Sequence, residues 1–370
     1  MTLPIPLHYV FDYTDVDRRF WDEHLADWLP AQLFDAHTHV VEPEFRRSVP
    51  SEEKRRQYWV GEVNEPIGAQ AAARCQSIVF PDREFSCLCF PSPDLNYDLP
   101  ACNQRLQVES LQRGWFCLAV TCPDWPAEHI ARLLNQAPVV GIKPYYTLIS
   151  NDPTTRDKHL EASIFDFLPH HHLEVLNERR AWVTLHVPKA DRLGHPANIA
   201  EIRAIRRRYP QVVLVIAHLG RCYTLPHAEE AFPQLADDQG LYFDCSAVMN
   251  PQVHHLALKT FGPKRIVYGS DNPVFYMRGR RQYEGTRYIN RTSYPFHFNR
   301  QRESPQIEPG YTLYMYEELW AIRQACEALE LGAIDVAAIF HDNALRLIHS
   351  SAPRPAPASM PSASQETPPC

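Results

Sequence analysis

Glycine is scarce in this chain, with 13 residues among 370 against 33 prolines. Rigid connections are therefore favoured over flexible ones. No glycine-rich dinucleotide fingerprint follows the first apolar strand, which counts against a doubly wound nucleotide-binding sheet. Long apolar runs are missing too: none reaches the ~18 uninterrupted residues that a membrane helix requires. The amino terminus, Met1-Thr-Leu-Pro-Ile-Pro6, lacks a basic segment ahead of an apolar core, so no secretory leader is expected. There is no basic excess, since 37 Lys and Arg against 44 Asp and Glu leave a formal charge of −7. That excludes the global electrostatic footprint of a nucleic-acid binder. The ten cysteines include no CxxC pair and several lie within apolar runs, which points to buried reduced thiols and a cytoplasmic setting.

What is present describes a globular protein, with 45% hydrophobic and 22% charged residues. Residues 1–30 read as an extension with a polar-aromatic helix around Asp15–Trp28, closed by Pro30. Residues 351–370 are rich in Pro, Ser and Ala and cannot bury enough surface to offset their ordering entropy, so this tail is expected to be disordered. Between them, over 31–350, eight short apolar runs recur: Leu33–Ala36, Ser86–Phe90, Trp115–Val120, Pro138–Ile142, Ala181–Leu185, Val212–Ala217, Leu241–Cys245 and Arg265–Tyr268. Amphipathic stretches such as Glu128–Asn135, Asn198–Arg208 and Pro251–Thr260 separate them. Near-continuous apolar strands alternating with helices mean a parallel sheet covered on both faces. Eight such units favour an α/β fold of the (β/α)8 TIM-barrel type, with an open α/β sheet as the alternative.

In such a barrel the chemistry belongs at the carboxyl ends of the strands. The first strand ends in Asp35-Ala-His37-Thr-His39, whose two histidines stand two apart and so share a face. The fifth ends at His186, the sixth at His218 and the eighth at Asp271. Each is a metal-capable side chain placed directly after an apolar run. A single histidine there would more often be a satisfied core residue; four histidines and an aspartate at the strand ends of one barrel are hard to reach by accident.

Together, Asp35–His39, Gly141-Ile-Lys143-Pro144, Leu185-His186, Ile216-Ala-His218-Leu-Gly220, Tyr268-Gly-Ser-Asp271-Asn-Pro273 and Asn343–Leu347 resemble the amidohydrolase superfamily, in its amidohydrolase-related (amidohydrolase 2) branch. The resemblance implies a divalent metal, zinc with manganese as the alternative, held by His37, His39, His186 and Asp271. It implies a water of lowered pKa, Asp271 as proton carrier and His218 as its hydrogen-bonding partner or a polariser of substrate oxygen. One ion is favoured. Two are expected if Lys143 is carboxylated and bridges them; otherwise Lys143 contacts substrate or forms a salt bridge in the barrel mouth.

The long stretch 274–310 precedes the next helix near Tyr314 and interleaves arginines with tyrosines and phenylalanines. Arginine forks suit carboxylates, and Arg278 is the expected substrate contact, against a solvated loop or a subunit contact. His170-His171-His172 lies in a helical stretch and needs no metal. Asp244 and Asp35 are expected to orient ligands, Asp35 with an equal claim to a structural part, and Tyr145-Tyr146 to line the pocket or pack.

The favoured function is metal-dependent hydrolysis of a small, carboxylate-bearing ester, lactone or amide. The alternatives are non-oxidative decarboxylation of an aromatic or unsaturated acid and, behind both, a non-catalytic scaffold. The expected partner is a small anionic molecule, with no nucleic acid and no membrane, and a homo-oligomer is possible on this fold.

Overall fold

The computed structural model describes residues 3–8, 11–49, 51–52, 55, 59–63, 65–150, 159–294, 296–297, 299 and 301–350. The expected disordered tail at 351–370 lies outside them.

All eight apolar runs are strands of one parallel sheet: β1 (Gln32–His39), β2 (Glu84–Phe90), β3 (Phe116–Val120), β4 (Val139–Lys143), β5 (Trp182–Leu185), β6 (Val213–Ile216), β7 (Tyr242–Asp244) and β8 (Ile266–Val267). They pair in chain order. Backbone bonds then join the last strand to the first: Ala36 N donates to Tyr268 O, Asp271 N to His37 O and His39 N to Asn272 O, each at 2.8 Å. This closes the sheet into a (β/α)8 barrel. Every residue of β4, β5 and β6 is buried, as expected for strands covered on both faces.

A helix follows each strand. In order they are α2 (Ala69–Val79), α3 (Leu99–Arg113), α4 (Ala127–Leu134), α5 (His170–Glu178), α6 (Pro196–Arg208), α7 (Leu225–Ala231), α8 (Pro251–Phe261) and α9 (Tyr314–Ala328), while α1 (Asp15–His24) precedes the barrel and α10 (Asn343–His349) follows it. Local chemistry sets several of these ends. Asp98 accepts from Ala101 N at the start of α3, and Gly114, at φ 68°, stops it. Thr14 and Asp17 form a capping box on α1. That helix stops at His24, short of the expected Trp28, and its Phe20 and Trp21 pack on Tyr316 of α9.

Inside the barrel, Phe34, Leu88, Phe90, Leu118, Val120, Val140, Trp182 and Val215 pack together, and a larger apolar layer lies between sheet and helices. The 274–310 stretch is less irregular than its sequence suggests. It holds a hairpin of β9 (Arg280–Glu284) and β10 (Arg287–Arg291) before α9 begins at Tyr314, the expected position. Among the described residues, nine cysteines form no disulfide and all but Cys122 are buried, and no helix is long and apolar enough to cross a membrane.

Candidate metal centre at the carboxyl ends of the strands

The phase of β1 decides which way its histidines point. Asp35 pairs with Cys87 and Thr38 with Cys89, so β1 holds one more residue than β2 across this interval. Such a bulge re-aims side chains. Before it, Phe34 and Ala36 belong to the barrel interior. After it, His37 and His39 both pack on the interior ring of Phe90, at 4.9 and 4.8 Å between centroids.

Asp271 meets them from the segment that follows β8. Its Oδ1 lies 3.5 Å from His37 Nε2 and 3.4 Å from His39 Nε2. These three residues place one ligand atom each within 4.8 Å of one another. His218 packs against His37 at 4.6 Å between ring centroids, and His186 stands one ring further on, 5.2 Å from His218. The structure thus brings His37, His39 and Asp271 into one donor set, with His218 and then His186 along its flank.

Asp244, at the end of β7, organises the cluster. Its Oδ2 accepts from His37 Nδ1 at 2.9 Å. Its Oδ1 accepts from His218 N at 2.8 Å, Ser246 N at 3.2 Å and Ser246 Oγ at 2.5 Å. Asp244 also falls within ligand-atom range of His37 and His218, but these bonds already use both its oxygens, and the group is a hydrogen-bonded support. The network also assigns tautomers. With Nδ1–H donated to Asp244, His37 keeps its lone pair on Nε2, facing Asp271. His218 donates Nδ1–H to Ser246 Oγ at 2.9 Å, so its Nε2 is an acceptor. That suits it to hydrogen-bond a water, not to polarise a substrate oxygen.

Asp35 ties the two ligand-bearing strands together. It accepts from His37 N and Ser270 N, each at 3.0 Å, and from Ser270 Oγ at 2.5 Å. Burial pushes its carboxyl up to about 7, against the lowering effect of these bonds. Burial lowers His37 to about 3, with the charge of Lys143 adding to it, and lowers His186 and His218 as well. The imidazoles are therefore neutral near pH 7, the form that ligates metal. For Asp244 and Asp271 burial acts upward, but the surrounding histidines outweigh it and hold both carboxyls below the usual range.

Backbone geometry carries part of the cost. His218, Ala247 and Asp271 have φ of 55°, 61° and 56°, a region that costs non-glycine residues about 1 kcal/mol or more each. Gly269 is required by proximity, since a Cβ there would lie 2.6 Å from His37 Cβ. Gly269→Ala is expected to displace His37 and lower metal uptake by roughly ten- to a hundredfold, as lost ligand support does elsewhere. Uptake equal to wild type in a competition with a chelator would contradict this.

Lys143 lies at the end of β4, 1% exposed, with its Nζ 4.9 Å from the Phe90 ring centroid. Among the described residues that Nζ has no hydrogen-bond partner. Burial lowers it to about 8, opposed by Asp244 and Asp271. The His186 ring packs on Tyr145 and Tyr146, and its Nδ1 is also unpartnered. Unsatisfied buried donors and acceptors around a histidine–carboxylate set fit a site for a divalent ion and its water.

Arg278 does not join this site. Its guanidinium grips Asp17 through Nη1–Oδ1 at 2.9 Å and Nη2–Oδ2 at 2.5 Å, and donates to Tyr311 O and Asp12 O. The expected substrate contact is instead a tie between the N-terminal extension and the segment leading into α9. Sequence reasoning did not single out Asp17, which lies inside the polar-aromatic helical stretch of the N-terminal extension. Ser246 and Ser270 were also missed, although each stands within two residues of a strand-end aspartate. His170, His171 and His172 bond Tyr209 and the Trp125 carbonyl, in keeping with a structural triplet.

The amidohydrolase family model matches residues 96–349. No curated protein sequence matches the chain. Among solved structures, an amidohydrolase from Burkholderia multivorans with bound zinc superposes with a TM-score of 0.54 at 13% identity, covering 86% of this chain and 99% of that one. A 2,6-dihydroxybenzoate decarboxylase complexed with 2,6-dihydroxybenzoate gives 0.51 at 14% identity, covering 87% and 99%. A probable 2-pyrone-4,6-dicarboxylic acid hydrolase from Acinetobacter baumannii gives 0.50 at 15% identity, covering 86% and 99%. At these identities the likeness is one of fold.

Proposed function

This chain belongs to the amidohydrolase family, and from that premise we propose that it is a metal-dependent hydrolase of a small carboxylate-bearing ester, lactone or amide. The observation that carries the reading is the convergence of His37 Nε2, His39 Nε2 and Asp271 Oδ1 at the seam of the barrel. His37, His39 and Asp271 would hold a divalent ion, with His186 completing the set; zinc fits neutral imidazoles with one carboxylate. Bound there, the ion supplies a Lewis acid that brings the pKa of a water ligand toward neutrality.

The chain's own groups do the rest. Asp244 fixes His37 through Nδ1, and Ser246 fixes His218 with its Nε2 accepting. Asp271 takes a proton from water as the water oxygen bonds to the substrate carbonyl carbon. The C–O or C–N bond then breaks, and the same carboxyl returns the proton to the departing oxygen or nitrogen. The buried Lys143 supplies a cation for an anionic substrate, in hydrolysis and decarboxylation alike.

The test is metal content followed by turnover. Wild-type protein, stripped and reconstituted, is expected to take up about one zinc per chain, and His37→Ala/His39→Ala protein to take up little. Equal uptake by both would remove the site. The reconstituted enzyme is then offered lactones, esters, amides and arylcarboxylates. Release of CO2 with loss of its mass from the substrate would replace the hydrolase reading with the decarboxylase one.

A further inference from the structure

Three loops that leave the site strands meet at one tyrosine. Tyr223 follows His218 of the β6 end, Arg192 follows His186 of the β5 end, and Arg281 follows Asp271 of the β8 end. The guanidinium carbons of Arg281 and Arg192 lie 5.4 and 5.5 Å from the Tyr223 ring centroid. Arg281 also lies over the Tyr288 ring at 4.4 Å and within 6 Å of Phe275 and Tyr314. Tyr223 and Tyr288 meet edge to face at 5.4 Å.

Among the described residues neither arginine forms an ion pair with an acid. Arg281 donates Nη1 to the Ala247 carbonyl at 2.6 Å and Nε to Asn290 Oδ1 at 3.3 Å. Arg192 donates Nη1 to His227 Nδ1. The largest electrostatic influences on Arg281 are tyrosines, and those on Arg192 are Tyr223, Arg221, Tyr288 and Cys222. Among the described residues the Nη2 of each arginine makes no hydrogen bond. Both guanidiniums are half-buried over aromatic rings, and with no ion pair to an acid their charge is available to an anionic ligand.

This pair sits beside the catalytic cluster. Asp271 acts electrostatically on the Tyr223 phenol. The Ala247 carbonyl that holds Arg281 follows Ser246, whose hydroxyl fixes His218. We propose that Arg192 and Arg281, flanking Tyr223, form a subsite for a substrate carboxylate remote from the bond that is broken. The substrate class is therefore a small acid with at least one carboxylate besides its reacting group. Arginine forks match the planar carboxylate, and Tyr223 and Tyr288 offer hydroxyls and ring faces to the adjoining carbon skeleton. This proposal rests on the hydrolase reading for the word substrate, but the subsite can be tested without turnover.

The experiment is calorimetric titration of metal-free protein with isophthalate, neutral isophthalamide and inorganic phosphate. Isophthalate is expected to bind at millimolar concentration or below and the neutral diamide far more weakly. Arg281→Gln and Arg192→Gln should each weaken isophthalate binding by roughly ten- to a hundredfold, and Arg281→Lys by less. Melting curves verify the fold of each variant, and the Arg192 variant still decides the matter if Arg281→Gln does not fold. His37→Ala/His39→Ala protein should bind isophthalate as wild type does, which separates failure of the subsite from failure of the metal site. No binding of isophthalate, equal binding of the diamide, or wild-type affinity in both glutamine variants would overturn the proposal. Tighter binding of phosphate than of isophthalate would overturn it too, in favour of a phosphoryl group.

Discussion

Asp271→Asn is expected to lower kcat by at least roughly a hundredfold, the usual size of a general acid–base contribution, while the fold survives. The substitution keeps the shape of the side chain and one oxygen near His37 and His39. It also suits the backbone, because Asp271 has φ 56° and asparagine tolerates the left-handed region as readily as aspartate. What it removes is the basic oxygen. In the native chain that carboxyl is ionised, since burial, which alone would raise it, is outweighed by His218, His39 and His37. An amide cannot take the proton from water, and neither Asp244 nor Asp35 can replace it. Asp244 spends both oxygens on His37, His218 and Ser246, and Asp35 spends its own on Ser270 and the β1 backbone. Metal content and rate must come from the same preparations. Full metal with near-normal turnover in Asp271→Asn would leave the mechanism without its proton carrier.

The second large effect is on stability. Asp17 is fully buried and, among the described residues, its one ion-pair partner is Arg278, which is 12% exposed. Thr14 N and Oγ1 and Thr312 Oγ1 also donate to that carboxylate. Arg278→Ala strips the charge partner and leaves a buried anion, held by neutral donors alone, between α1, the 311–313 segment and the body of the barrel. Breaking a buried pair in this way costs about 3 kcal/mol or more, which corresponds to a fall in Tm of roughly 5 °C or more for a chain of this size. Per folded molecule, kcat/KM should change little, since the guanidinium does not face the metal cluster. Unchanged Tm with a KM raised tenfold would return Arg278 to the substrate site, where its position in the sequence had suggested it belongs.

That reversal marks a boundary between local and distant information. Arg278 and Arg281 stand three apart in one arginine- and tyrosine-rich segment, and nothing local separates them. Their fates depend on Asp17 and Ala247, which the chain brings to them from far away in sequence. The strands were a different matter. A parallel strand covered on both faces must be apolar throughout, so β5 and β6 read directly as Trp182–Leu185 and Val213–Ile216. The residue that ends such a run in a barrel must stand at its carboxyl rim. For that reason His37, His39, His186, His218 and Asp271 could be named from order and spacing alone.

By itself, then, the sequence determined the number of strands, their order and the residues at their ends, because each follows from apolar periodicity over a few neighbouring positions. The tertiary structure alone decided the rest. The bulge between Asp35 and Thr38 is a mismatch with β2 and cannot be seen in β1. The tautomers of His37 and His218 follow from Asp244 and Ser246, which arrive from β7. The choice between Arg278 and Arg281 follows from partners on other loops. Hydrogen bonds and ion pairs act over about 3 Å and between groups of any sequence separation, so only the closed barrel can specify them.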